Sequence, residues 1–248
     1  MKKIIKAFLI LIVAVWFMPI MASATSDDMI IGDYCYFNYD LNENNEAIIT
    51  GYYSNMNTIE IPETIDGYVV VGIGEEAFYD GYGATMVEIT IPDTVKEIGE
   101  RAFWHCASLE KVTLSKNLEK MGVGAFQSCN NLKSIEIPKS LKNVGNNVFY
   151  ESGLKNVTFE AGTSEIVPYL FSLCESIEKI IIPDTVTTIG EGAFLGCSNL
   201  TTVEMTDAVT SIEKDAFCGC GFETIILSKN LVEIGDSAFY GCSSLSSI

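Results

Sequence analysis

The side chains best equipped for chemistry in this 248-residue sequence are eight cysteines, one histidine and 33 carboxylates. Six of the cysteines, Cys106, Cys129, Cys174, Cys197, Cys220 and Cys242, follow one another at intervals of 22 or 23 residues, with one interval skipped. An even ladder of thiols in an exported chain has two readings. One is a disulfide framework, because coils about 4.8 Å apart hold their Cα atoms within disulfide range. The other is a column of buried thiols that pack as small hydrophobes, since parallel, in-register side chains do not naturally bring sulfurs into bonding contact. Cys35 and Cys218 lie off the ladder. The spacing lacks the Cys-x-x-Cys pair of a zinc site.

His105 occupies a turn position filled elsewhere by Asp80, Ser128, Glu151, Leu173, Gly196, Gly219 and Gly241. A position so indifferent to residue type reads as surface. A general base needs an orienting partner and a pocket, and the sequence contains no nucleophile elbow, phosphate loop or metal-binding histidine pair. Paired carboxylates of the glycosidase type would arise here only by chance. Calcium-binding acidic turns would show EF-hand or related spacing, which is missing. No catalytic, cofactor-binding or metal-binding residue is therefore assigned, no cofactor is expected, and the chain is read as non-enzymatic. Fifteen basic residues against the 33 acids give a net charge of −18, which repels nucleic acid and anionic surfaces. An apolar content of 48% with 19% charged residues is enough for a folded core.

The cysteine spacing is set by a larger repeat. Phenylalanine recurs at 78, 103, 126, 149, 171, 194, 217 and 239, in steps of 22 to 25 residues. Fourteen residues before each of the last seven stands Ile89, Val112, Ile135, Val157, Ile180, Val203 or Ile225, with a second apolar residue two positions on. This alternation predicts one short strand per unit with one buried face. Pro62, Pro92, Pro138 and Pro183 end such strands, because proline cannot donate to a continuing ladder. Five residues before each Phe lies another apolar position: Ile73, Ile98, Met121, Val144, Ile166, Ile189, Ile212 or Ile234. Glycine usually follows, which predicts a turn with positive φ or a close backbone approach; Val167 and Glu213 break the rule. A 23-residue unit cannot bury its own apolar face, so the units must stack as a mainly β solenoid of about eight coils with short parallel strands.

The ends differ from the middle. The first unit holds about five extra residues around Asp66 to Val70. Upstream, Tyr34 to Phe37 and Ala47 to Thr50 flank the polar turn Asn42 to Glu46, which predicts a β-hairpin cap over the first coil within 25–56. The repeat array spans 57–248 and reads as incomplete at its C-terminus, where no cap follows Leu245. Residues 1–24 carry Lys2, Lys3 and Lys6, an apolar run from Ala7 to Ile20, and Ala22-Ser23-Ala24. That is the plan of a secretory signal peptide cut after Ala24. The apolar run is shorter than the ~20 residues that cross a bilayer, so no membrane insertion is expected after its removal.

The run Ile91-Pro92-Asp93-Thr94-Val95-Lys96-Glu97-Ile98-Gly99, continued by Ala102-Phe103, Cys106 and Leu109, is echoed by Ile182 to Cys197. This pattern resembles the BspA-like class of bacterial leucine-rich repeats over roughly 57–248, with the fifth unit departing most at Gly162, Pro168 and Leu170. The resemblance implies a parallel-β horseshoe or solenoid on secreted or cell-surface proteins associated with adhesion and protein recognition.

Strand alternation places Glu60, Thr90, Thr113, Glu136, Thr158, Ile181, Glu204 and Ile226 outward at the strand centres. These are the candidate partner-binding residues, because a rigid core fixes them as one broad surface. Thr58, Glu88, Lys111, Ser134, Asn156, Lys179, Thr202 and Thr224 run beside them. Strand propensity alone also accounts for many of these types, and no aromatic or arginine stripe runs along the face. The expected function is recognition of an extracellular protein or cell-surface glycan, with adhesion as its leading form. The alternative is a spacer or targeting arm of a larger exported enzyme.

Overall fold

The computed structural model describes residues 35–79 and 85–247, together with the backbone of Ala7–Phe8. The leader expected over 1–24 thus lies outside the described residues, apart from those two positions.

Each coil carries two strands where the sequence predicts one. A first column of parallel strands contains Thr58–Glu60, Glu88–Thr90, Lys111–Thr113, Ser134–Ile137, Asn156–Phe159, Lys179–Ile181 and Thr202–Glu204. A second contains Tyr68–Ile73, Glu97–Ile98, Lys120–Met121, Asn143–Val144, Glu165–Ile166, Thr188–Ile189, Ser211–Ile212 and Glu233–Ile234. The second column is built on the residues before the glycines. Two residues per coil are too few for period-two alternation to reveal a strand, but stacking supplies the missing cooperativity. In the eighth coil the first column shrinks to one parallel bridge, Thr224 with Ser247.

Between the columns the phenylalanines form a continuous stack. Phe78, Phe103, Phe126, Phe149, Phe171, Phe194 and Phe217 are each 0% exposed. Successive ring centroids lie 4.8 to 6.0 Å apart with interplanar angles of 4° to 21°. Burying a ring of this size contributes about 1.5–3 kcal/mol by transfer alone. The hairpin Cys35–Leu41 and Ala47–Ser54 closes one end, with Tyr52 stacked at 4.6 Å on Phe78 and Phe37 tilted against it. At the other end Phe239 is half-buried and Phe222 meets both Phe217 and Phe239 edge-on. The extra residues of the first unit fold into a small hairpin, in which Thr64–Ile65 pairs antiparallel with Tyr68–Val69 across Asp66 (φ 52°) and Gly67 (φ 85°). Two consecutive left-handed residues are what a tight Asp-Gly turn requires.

The repeated glycines serve close approach and have no positive φ. A Cβ on Gly145 would stand 2.3 Å from the Val123 amide nitrogen, and one on Gly122 2.4 Å from that of Glu100. The left-handed residues fall instead two positions before each Phe and, from Phe103 onward, two positions after it. Arg101 and His105 flank Phe103 in this way, as do Tyr169 and Leu173 around Phe171. The turn position of His105 is therefore not indifferent: it must adopt φ near 60°, which glycine accepts without strain and other residues at some cost. Coil five carries Val167 in place of the glycine. There the second column is interrupted between Asn143–Val144 and Glu165–Ile166, and the ring spacing reaches its widest value, 6.0 Å. Val167 thus puts a side chain where most other coils have none, at the turn where the pairing stops. Glu213, the other exception, leaves its pairing with the preceding coil intact.

Replacing Phe149 by Ala should cost about 3–5 kcal/mol through a core cavity, read as a lower urea midpoint; an unchanged midpoint would contradict the stack. Gly145→Ala should cost about 1–3 kcal/mol, because the atoms it meets are backbone and cannot rotate away.

Candidate functional site

The strand residues of the first column are short and period-two, so their outward positions share one face. Glu60, Thr90, Thr113, Glu136, Thr158, Ile181, Glu204 and Ile226 are all exposed, while Ile59, Ile89, Val112, Ile135 and Ile180 point inward and are buried. Register brings the candidates together in three blocks rather than one. Glu60, Thr90 and Thr113 stand opposite one another, then Glu136 with Thr158, then Ile181 with Glu204. Ile226 lies outside any named strand and is 82% exposed.

The blocks are separated by interruptions of the ladder. Lys111–Thr113 and Ser134–Ile137 belong to different sheets, as do Asn156–Phe159 and Lys179–Ile181. At the first interruption the face sinks into a groove of about 370 Å³, whose lining includes the candidates Thr113, Glu136 and Thr158. The sequence reading did not find the groove, because a break in backbone pairing leaves no mark on residue periodicity. Lys116, Asn156 and Glu160 also line it.

Charges on this side are tied between coils. Lys111 meets Glu88 at 3.4 Å, Lys139 meets Glu160 at 3.2 Å, and Lys179 pairs with Glu204. The backbone N–H of Lys139 also donates to Glu160 at 3.1 Å, and this bond, with the Lys139 ammonium, holds the Glu160 carboxyl below its ordinary value. Such exposed pairs contribute little to stability, typically about 0–1 kcal/mol; they fix side-chain positions. In the turns beyond the strands, Asp93 accepts the Lys116 N–H at 2.8 Å, and Asp207 accepts that of Lys229 at 3.1 Å.

The cysteine ladder forms and its thiols are free. Each donates to the carbonyl of the preceding coil's phenylalanine: Cys106 to Phe78 at 3.1 Å, Cys129 to Phe103 at 3.2 Å, and so on through Cys242 to Phe217 at 3.1 Å. Burial pushes the Cys129 and Cys197 thiols up to about 12 and raises Cys174 and Cys220 well above the ordinary value. A protonated, enclosed sulfur is a poor nucleophile and a poor metal ligand. In the fourth coil Ser152 takes the ladder position, and its buried hydroxyl has no hydrogen-bond partner. Among the described residues no group of three His, Cys, Asp or Glu side chains has metal-binding geometry.

His105 is exposed, as expected, with its ring 6.0 Å from that of Trp104. Trp104 in turn stacks on Tyr79 at 4.9 Å, with the Arg101 guanidinium 5.6 Å from its ring centre. This aromatic group lies on the turns flanking the Phe stack, away from the strand face. Sequence reasoning about the strand face passed over it.

The sequence matches the family model described as "BspA type Leucine rich repeat region" in six copies, over residues 50–178 and 164–248. Among curated proteins no match is found. Among solved structures, a leucine-rich-repeat protein of T. pallidum is similar at 28% identity and a TM-score of 0.56, over 85% of this chain and 88% of that one. A leucine-rich-repeat protein from Bacteroides ovatus shares the fold at 24% identity and a TM-score of 0.55, over 88% and 70%. A leucine-rich cell surface protein from Faecalibacterium prausnitzii shows 31% identity and a TM-score of 0.49, over 91% of this chain and 56% of that one.

Two outcomes follow from the thiol ladder. Because burial raises the folded-state values of Cys129 and Cys197 from 9.0 to about 12, the unfolded chain loses protons that the folded chain keeps. Stability should hold up to about pH 9 and fall as pH rises toward 12, with a shallower fall in Cys129→Ala/Cys197→Ala; identical melting profiles for variant and parent would contradict this. Ser152→Cys should raise stability by about 1 kcal/mol, because it replaces an unsatisfied buried hydroxyl with the donor used in the other coils. Urea denaturation checks the second, and a lowered midpoint would refute it.

Proposed function

The chain belongs to the BspA-type leucine-rich-repeat family, and from that premise we propose that it is an exported recognition module whose first strand column contacts an extracellular protein or cell-surface glycan. Adhesion is the form of recognition that fits best. One observation carries the reading: the outward strand positions from Glu60 to Glu204 are exposed while their inward neighbours are locked in a continuous core. A surface held this rigidly loses little conformational entropy on binding. With short polar side chains and no aromatic anchor along the strand centres, each contact is shallow, and affinity comes from summing contacts over several coils and from linked copies. The net charge of −18 turns away nucleic acid.

Export rests on the Lys2, Lys3, Lys6 and Ala22-Ser23-Ala24 pattern. No helix among the described residues is long and apolar enough to cross a membrane. The family is one of repeat proteins that mediate interactions, and the chain's chemistry agrees: its six ladder thiols are enclosed, and its histidine sits on an exposed turn. We therefore assign it no catalytic role.

The test is a double charge reversal, Glu60→Lys/Glu204→Lys, at two well-separated points of the face. Binding partners retained by the unaltered protein from matrix and cell-surface extracts should lose at least about tenfold in affinity, as expected when interface charges are inverted. Undiminished binding of every partner would reject the strand face as the contact surface.

A further inference from the structure

The groove between Lys111–Thr113 and Ser134–Ile137 joins an interruption of the ladder to a charge and shape of its own. Within each block of the face, parallel neighbours satisfy one another's backbone groups, as Ser134 to Ile137 do with Asn156 to Phe159; the ladder is broken here and again between Asn156–Phe159 and Lys179–Ile181. Across this interruption the described residues show no such pairing. Backbone N–H and C=O groups along the two facing edges are therefore left to solvent or to a ligand, and they are obligatory hydrogen-bonding groups.

The lining supplies what such a ligand would meet. Thr113, Ser134 and Thr158 offer hydroxyls that both donate and accept, and Asn156 offers an amide with both functions. The methyl groups of Thr113 and Thr158, both exposed, give the groove a small apolar component suited to C–H faces. Two lysines, Lys111 and Lys116, and two glutamates, Glu136 and Glu160, sum to zero in a chain whose total is −18. Lys111 and Glu160 already have partners, which leaves Glu136 and Lys116 outside the ion pairs of the described residues. A neutral ligand meets no repulsion here, whereas a polyanion is opposed by the whole molecule. The volume of about 370 Å³ lies within the usual small-molecule range of about 300–1,000 Å³. No aromatic or arginine side chain lines the groove, so a folded protein lacks the anchors on which such interfaces depend.

We propose that this groove is a binding site for a neutral saccharide, about two sugar rings long, held by Thr113, Ser134, Glu136, Asn156 and Thr158. The inference rests on the reading that the strand face is the recognition surface, and it names the ligand class at one place on that face. Hydroxyl groups of the sugar take the place of the missing inter-strand hydrogen bonds, and the Glu136 carboxylate accepts from a vicinal pair.

The isotope-labelled full chain is titrated with cellobiose, lactose and diacetylchitobiose, and with a sulfated heparin disaccharide as the anionic comparison. At least one neutral disaccharide should move amide resonances of 112–114, 134–136 and 156–158, while the sulfated one does not. Glu136→Gln and Asn156→Ala, both at exposed positions, should each weaken that binding by about tenfold, the loss expected for one hydrogen bond involving a charged or amide group. Asn44→Ala, on the exposed hairpin turn, should leave it unchanged, and the double reversal Glu60→Lys/Glu204→Lys is read on the extract partners alone. Absence of shifts with all three neutral sugars, shifts confined to other residues, or unchanged affinity in both groove variants would overturn the proposal. If that double reversal abolishes binding of extract partners while no neutral sugar binds, the glycan assignment fails and the face remains in use. If the sugars bind the groove while extract partners ignore the reversal, the wider face reading fails instead.

Discussion

The structure depends on one contact repeated along its length: the phenylalanine of each coil lying flat against that of the next. A single coil of about 23 residues has too little interior to bury anything by itself, and its strands are too short to persist alone. Stacking resolves both difficulties together. The ring of one coil becomes the wall of its neighbour's core, and the same 5 to 6 Å step that suits offset aromatic rings is close to the spacing of parallel strands. Phe103 and Phe126, at 4.8 Å and 4°, meet that condition most closely, whereas Phe149 and Phe171 at 6.0 Å meet it least.

Everything around the stack is tuned to keep the step small. Glycine precedes the turn because the backbone of the preceding coil occupies the space of a side chain. The amide of Phe103 donates to Ala125 of the following coil at 2.8 Å, while the carbonyl of Phe103 accepts the thiol of Cys129 at 3.2 Å. The ladder cysteines are thus small hydrophobes with one useful donor, which accounts for a column of free thiols. Where a component departs from the pattern the geometry gives way locally: Val167 coincides with a break in one column, and Ser152 leaves a hydroxyl unsatisfied.

Much of this was legible in the residues. The Phe period alone predicts a stacked solenoid, the alternation around Ile89 to Ile225 predicts the exposed row, and Asn42 to Glu46 predicts the hairpin that covers Phe78. Three features were not. Beyond the first coil the second strand column has two residues per coil, too short to show a period, and exists only through its neighbours. The left-handed turns at Arg101, Tyr169 and Leu173 carry residues that do not prefer φ near 60°, so tertiary packing overrides local propensity there. The groove depends on where two strands fail to pair, and no residue type encodes a missing bond. Recognition surfaces are harder to read than cores for the same reason: burial restricts residue choice, and exposure does not.

The stack is tested most directly by native-state hydrogen exchange at the amides of Phe78, Phe103, Phe126, Phe171, Phe194 and Phe217. Each donates to a carbonyl of the following coil, so each can exchange only when neighbouring coils separate. The account predicts that these six amides are among the slowest in the chain, exchanging with opening energies near that of global unfolding. Exchange at the rate of exposed turn amides such as that of Asn44 would contradict it.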